Sequence, residues 1–572
     1  MKIKHLFGLA VIAAMSASCS SNEDLGTAGP GTGTNETGVG YATFTINLPT
    51  TSGTRAAGDP TFEDGDANEY DVFNATLLVF KKPTTATSEG EYTFVESVDL
   101  GSMQPWKNPS ETGVTTQAKI TAKLSNVDKS GEYFALVLLN NGSGADAKVN
   151  LPTTDETTTY SAWNKADNAT DKFDKTDKGF YMANAPLYNA TDKSVTTLVA
   201  IDKNKIFPTE AQASSGEAAA DIYVERGLAK VTLTDATKAE KTVGTSSSYA
   251  GDKVTISKWA LDVTNKKTFP IHNVDELGYE DIWKNEPAAT GPSTQRFVDN
   301  NSETLAKRVY WGKDPNYSNS TLNTDETARK AEFKYVTANT EVTADPTKPL
   351  YCLENTFNLA NMMQGQTTRV IFKASYTPKD FTVADGKTFY KIGTSVALWK
   401  QTDLVNHIKA AVSKVISVTT TDDITINLAA EDNNITAAGN HEIKKSNISV
   451  NGHTVTDAEV KAVSDKVGLT PNAGISTYAN GESYYIARIK HFGDALTPWK
   501  SGVYGTDNLA YLGRYGMLRN NWYELNVQSV SGPGYPDVPD VKPNTPDDED
   551  DKYIKVSVKI LKWAKRSQNV DL

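Results

Sequence analysis

The chain has 572 residues, a formal net charge of −12 and only two cysteines. That length allows two or three domains, each able to bury a core. The acidic balance leaves no basic stripe for phosphates, which argues against nucleic acid and anionic membrane surfaces as partners, while 39 Gly, 23 Pro and 9% aromatic residues among abundant Thr, Asn and Asp suit an all-β, loop-rich exported protein.

Residues 1–19 read as a targeting segment. Lys2 and Lys4 precede an apolar run at 6–15, then the small residues Ser16, Ala17 and Ser18 before Cys19. The run is too short to span a bilayer. A cysteine directly after small residues, followed by Ser20, Ser21 and Asn22, resembles a bacterial lipoprotein signal with lipid on Cys19. Ser16 stands where such signals usually carry Leu, and ordinary cleavage near Ala17 is the competing reading. No later stretch reaches the roughly 18 consecutive apolar residues of a membrane helix. With Cys19 lipidated, Cys352 has no partner and reads as a buried core thiol.

Residues 20–55 hold a Gly/Thr-rich linker and one amphipathic strand. In YATFTINL, residues 41–48, Ala42, Phe44, Ile46 and Leu48 face one side while Tyr41, Thr43, Thr45 and Asn47 face the other. The next loop, GTRAAGDP, holds Arg55, the only Lys or Arg between Lys4 and Lys81. Small residues surround it, and proteolytic nicking concentrates in such loops. FEDGDANEYD, residues 62–71, places Asp64, Asp66 and Asn68 at alternate positions like a calcium loop. The twelfth position is Ala75, so a solvated loop is favoured.

A first β-rich domain is expected over 56–220, with strands at 72–80, 91–100, 117–127 and 132–141. The last is almost continuously apolar, as a central strand covered on both faces would be. Residues 142–200 read as long surface loops. A second domain is expected over 221–532, with strands at 224–233, 253–265, 349–357, 367–377, 423–429, 447–455, 482–492 and 521–532. Helical spacing runs through 395–415 at Leu398, Leu404, Ile408 and Val412. Residues 280–350 read as a polar insertion with one short helix near 302–309.

The chain closes on an acidic, Pro-rich tether at 533–552 and a terminal strand at 553–572. The tether composition predicts a solvated segment able to extend roughly 65–75 Å. In the strand, Ile554, Val556, Val558 and Ile560 alternate with Tyr553, Lys555, Ser557 and Lys559. Each end therefore carries a strand with four alternate apolar side chains. The expectation is competition for one groove, filled first by the N-terminal strand and later by another copy's C-terminal strand. Burying four such side chains is worth about 6–12 kcal/mol before ordering costs, and the β-branched terminal set suits a strand better.

Enzyme chemistry is not expected. His441 and Glu442 begin like a zinc-protease motif, but Lys445 occupies the place of the second His. No nucleophile elbow or phosphate-binding loop is present, and neither a metal nor a cofactor is predicted.

Six segments in order carry a resemblance. VERGLAKVTL (224–233), WALDVTNKK (259–267), YCLENTF (351–357), YYIARIKHF (484–492), LGRYGMLRNNWYELNV (512–527) with SGPG after it, and WAKRSQNVDL (563–572) together resemble the fimbrillin family of Bacteroidales, which includes shaft subunits of the short (minor) fimbriae, the type V pili. The resemblance implies two transthyretin-like β-sandwich domains and export as an outer-membrane lipoprotein precursor. It implies an arginine-specific protease cutting between Arg55 and Ala56, and removal of the lipidated segment with its cap strand. It further implies donor-strand exchange between copies of the chain in a cell-surface fimbrium, with accessory tip and anchor subunits, and adhesion to host or bacterial surface proteins or glycans. The competing reading is a non-polymerising surface lipoprotein, or a tip or anchor fimbrillin, that binds glycans or host proteins.

Overall fold

A computed structural model describes residues 33–47, 62–63, 69, 71–102, 117–128, 130–153, 158–189, 194–274, 307–309, 311–356, 361–470, 473–492, 512–547 and 554–563. The protein is mostly β-sheet with few helices, as composition and alternation predict.

The first body is a nine-stranded sheet. It contains β1 (Gly40–Asn47) but not the two-residue β2 (Phe62–Glu63), which joins the second body. β3 (Ala75–Lys81), β4 (Thr93–Gly101), β5 (Gln117–Leu124), β6 (Tyr133–Leu139) and β7 (Met182–Asn184) follow, then β8 (Ile206–Phe207), the short helix α1 (Glu210–Ser215) and β9 (Ala220–Arg226). The order is β8-β1-β9-β7-β6-β3-β4, with β5 on β1 and the short strand Val199–Ala200 on β6. β6 lies between β3 and β7, and Ala135, Leu136, Val137, Leu138 and Leu139 are all fully buried. That matches a central strand covered on both faces. The Glu96 carboxylate on β4 accepts the backbone N–H groups of Ser125 and Asn126, just past β5, so the two ends of the sheet meet.

The chain passes to the second body at Gly227. A Cβ there would lie 2.7 Å from the Phe173 ring, so only glycine fits this crossing. The alternation predicted through 224–233 therefore belongs to two strands in two sheets, and β9 of the first sheet extends beyond the expected division at 220/221. β10 (Leu228–Leu233), β11 (Lys253–Asp262), β12 (Leu350–Leu353) and β13 (Arg369–Thr377) come next. β14 (Phe389–Ile392), α2 (Gln401–Val415), α3 (Asp457–Val467) and β15 (Ile475–Tyr478) follow, then β16 (Glu482–Arg488), β17 (Asn521–Val530) and β18 (Ile554–Trp563). One sheet runs β12-β10-β17-β18-β2. A second runs through Lys241–Thr242, β11, β13 and β16. The two share one core, where Val231 and Leu525 of the first meet Val254, Trp259, Phe372 and Tyr485 of the second.

α2 and α3 enclose a separate core. Leu404, Ile408 and Val412 of α2 are buried there with Val463 and Val467 of α3. α2 satisfies the helical spacing from Leu404 onward, whereas Leu398 lies in the strand Leu398–Trp399. α3 is not among the helices expected from the sequence, although Thr456 and Glu459 form a capping box and Gly468 closes the helix in the left-handed region at φ 97°. The short helix expected near 302–309 is corrected, because Lys307–Arg308 pair as a strand with Leu187–Asn189, while 301–306 lie outside the described residues.

Buried ion pairs tie the bodies internally. The Lys230 ammonium on β10 sits 2.7 Å from the Glu69 carboxylate, both side chains almost wholly buried. The Tyr351 hydroxyl on β12 donates to the same carboxylate at 2.6 Å, and the Arg226 guanidinium on β9 donates to the Glu69 carbonyl. Farther along, the Arg369 guanidinium on β13 meets the Asp262 carboxylate on β11 at 2.7 Å. Among the described residues no helix is long and apolar enough to cross a membrane.

Candidate functional site

β1 is an interior strand. Along one edge all eight of its residues pair antiparallel with β5. Along the other, Tyr41 and Ala42 pair with β8, and Phe44 to Asn47 pair in parallel with β9. Its apolar face fills the first core: Ala42, Phe44 and Ile46 are fully buried. Ala42 lies between Ala122 and Ile206, Phe44 between Ile120 and Ala220, and Ile46 between Ala118 and Ile222. The strand's polar face is also held. The Thr43 hydroxyl donates to the Ala213 carbonyl of α1 at 2.9 Å and meets the Thr121 hydroxyl at 2.7 Å. Its carbonyl accepts the Ala219 N–H, and the Asn47 amide donates to the Asp221 carboxylate. Taking β1 away would expose ladder groups on both flanking sides and an apolar trench between them.

β18 stands differently. It pairs antiparallel with β17, placing Ile554, Val556, Val558 and Ile560 opposite Val530, Val527, Leu525 and Tyr523, all four buried. Val556 and Val558 pack half-buried against the second core. On the other edge, among the described residues, Lys562 and Trp563 pair with β2. The two end strands are thus not brought to one groove: β1 sits in the first sheet and β18 in the second, each with a ladder of its own. Cys19, Leu48, Arg55, Ala56 and the residues Asp64, Asp66 and Asn68 lie outside the described residues.

The segment leading to β18 corrects the expectation of a solvated tether as far as residue 547. Tyr535 exchanges both backbone hydrogen bonds with Tyr484 of β16. Tyr478 and Tyr485 donate their hydroxyls to the carbonyls of Gly534 and Gly532, each at 2.9 Å. Burial pushes the Tyr485 phenol up, which keeps it the donor. A Cβ on Gly534 would meet the Tyr484 carbonyl at 2.1 Å, so glycine is required where this strap touches β16. The Arg369 guanidinium donates to the Pro539 carbonyl, and the Val538 N–H to the Asn339 side chain. The fully buried Asp547 receives the Thr367 hydroxyl at 2.9 Å and gives its N–H to the Met362 carbonyl. Tyr535, Val538 and Val541 rest on two small apolar clusters. Their three-residue spacing is that of a polyproline II strand with one buried edge, a signal that the Pro and Asp content concealed.

The remaining candidates carry no assembled chemistry. His441 faces the Ala437 carbonyl and His453 the Glu459 carboxylate at the α3 cap. Cys352 is free and buried, and burial pushes its thiol up to about 12. Among the described residues no three His, Cys, Asp or Glu are grouped to hold a metal.

The strands from β16 to β18, with the strap between them, coincide with a family match. Residues 476–569 match the fimbrillin C-terminal family, described as major fimbrial subunit protein type IV. The matched segment thus holds both β17 and the strand laid against it. A comparison with curated proteins gives no match. Among solved structures, a proposed cell adhesion protein from Parabacteroides distasonis is similar at 11% identity and a TM-score of 0.36, covering 92% of this chain and 99% of that one. A likeness at that level carries no argument about this fimbrillin-matching chain.

Proposed function

We infer that this chain is a structural pilin, the shaft subunit of a cell-surface fimbrium, and not an enzyme. It is exported as an outer-membrane lipoprotein precursor with lipid on Cys19. An arginine-specific protease cuts between Arg55 and Ala56, which severs β1 from the rest of the chain. Departure of β1 opens the trench between β5 and the β8/β9 side. Ile554, Val556, Val558 and Ile560 of another copy then take the places of Ala42, Phe44, Ile46 and Leu48, as in other recognition by strand addition. Copies of itself are the main partners; tip and anchor subunits and a host or bacterial surface follow from the same reading.

The observation that carries this reading is the asymmetry between the two strands. β1 is paired along both edges, so its removal leaves a complete strand-shaped acceptor. Among the described residues, β18 is paired along one edge with β17 and along the other at Lys562 and Trp563, and on this reading it is the strand given up. Filling the acceptor with two or more fully buried side chains is worth about 1.5–3 kcal/mol each. The test is Arg55→Ala. The variant is expected to fold as the parent does, to resist the arginine-specific protease at this loop, and to remain monomeric. Polymerisation of uncut Arg55→Ala would overturn the reading.

A further inference from the structure

The strap is held to its own body by several independent contacts. Among the described residues, β18 pairs with β17 along its length and with β2 at Lys562 and Trp563. The strap covers two apolar clusters, in which Ile371, Tyr484, Val263 and Leu322 are fully buried. It also holds the Arg369 guanidinium through Pro539 and seats Asp547 in a closed polar site against Thr367 and Met362. Peeling it away would open those clusters to water and remove these partners together. Detaching β18 parts its ladder with β17 and its two described pairs with β2.

We propose that in strand exchange the strap, residues 532–547, stays seated on its own subunit and only the chain beyond Asp547 crosses to the next copy. This rests on the exchange reading above and deepens it. The chain between the strap and β18 is residues 548–553, six in all, reading Asp548, Glu549, Asp550, Asp551, Lys552 and Tyr553. Fully extended, it lets Ile554 lie about 25 Å from Asp547. That is a fraction of the reach the whole Pro-rich segment would have. The neighbouring copy must therefore bring its acceptor trench to the face of the second body around Met363 and Pro546, where the strap ends. That face is the contact surface for a second copy of this chain.

The experiment locks the strap in place. Met363 and Pro546 are paired across an antiparallel bridge. The flanking bonds, Gln364 N–H to the Thr545 carbonyl and Asp547 N–H to the Met362 carbonyl, make them a non-hydrogen-bonded pair. Such pairs bring Cα atoms to about 4.5 Å, within the range of a disulfide. A chain with Met363→Cys and Pro546→Cys is oxidised, cut with the arginine-specific protease beside the parent chain, and assembled with and without reductant. The expected result is filament yield within about twofold of the parent in both states. Assembly of the parent and the reduced variant, with loss in the oxidised variant, would overturn the fixed strap and leave the exchange reading standing. A parent that is cut and stays monomeric would bring down the exchange reading, and this proposal with it. A measurement without substitution decides the matter if the variant misfolds: hydrogen exchange at the Tyr535, Val538 and Asp547 amides. Protection in filaments equal to that in monomers supports the seated strap, and its loss on assembly contradicts it.

Discussion

At the scale of single residues, Phe44 matters most to β1. It is fully buried between Ile120 and Ala220 in the register of three strands. Phe44→Ala removes its ring from a packed core and should cost about 3–5 kcal/mol in the uncut chain, read as a lower urea midpoint. The same substitution should speed loss of the severed segment after cutting, because the strand then leaves less buried surface behind. Phe44 was legible from alternation alone: period two put it on the apolar face, and that face is the core face. Glu69 was not legible. Its partners, Lys230, Tyr351 and Arg226, stand more than a hundred residues away in sequence and in strands of both sheets. A short acidic loop beside a protease-sensitive arginine reads as solvated, and nothing local signals a buried carboxylate.

At the scale of elements, the contrast is between β1, paired along both edges of the first sheet, and β18, paired along its length with β17 and, among the described residues, at Lys562 and Trp563 with β2. Val558 tests what β18 supplies. It lies opposite Leu525 and packs half-buried on the second core. Val558→Asp puts a carboxylate where an apolar side chain is needed, both in its own sheet and in the trench of a neighbour. The first sheet does not use this residue. The variant should fold its first body, be cut at Arg55 like the parent, and yield few or no filaments; electron microscopy and an unboiled gel read the outcome. Sequence reading reached both strands, because alternation is a local property. It did not separate their sheets, because identical patterns fit any half-buried strand. It also read the strap as solvated. Composition outweighed the Tyr535, Val538, Val541 spacing, and the binding surface for that spacing is built from β16 and a distant loop at Asn339.

At the scale of the whole molecule, two β bodies meet at Gly227, and Glu69 reaches elements of both. Glu69→Gln keeps the shape of the side chain but leaves the Lys230 charge buried with no anion 2.7 Å away. Breaking a buried pair in this way costs about 3–5 kcal/mol, and the urea midpoint should fall accordingly. Glu69 also follows β2, the short strand that pairs with the far end of β18. On the proposed reading, the chain between the end of β1 and Glu69 links the strand released, the cut and the pair on the strand donated. The fimbrillin match over 476–569 covers β17 and β18 and does not reach β1.

The most direct measurement takes the chain without residues 1–19, treats it briefly with an arginine-specific protease, and follows N-terminal sequence, gel mobility without boiling and negative-stain images together. The account predicts a new N-terminus at Ala56, ladders and filaments, with cut monomers only when residues 553–572 are deleted. A chain cut at Ala56 that keeps its terminal strand and still remains monomeric would contradict it.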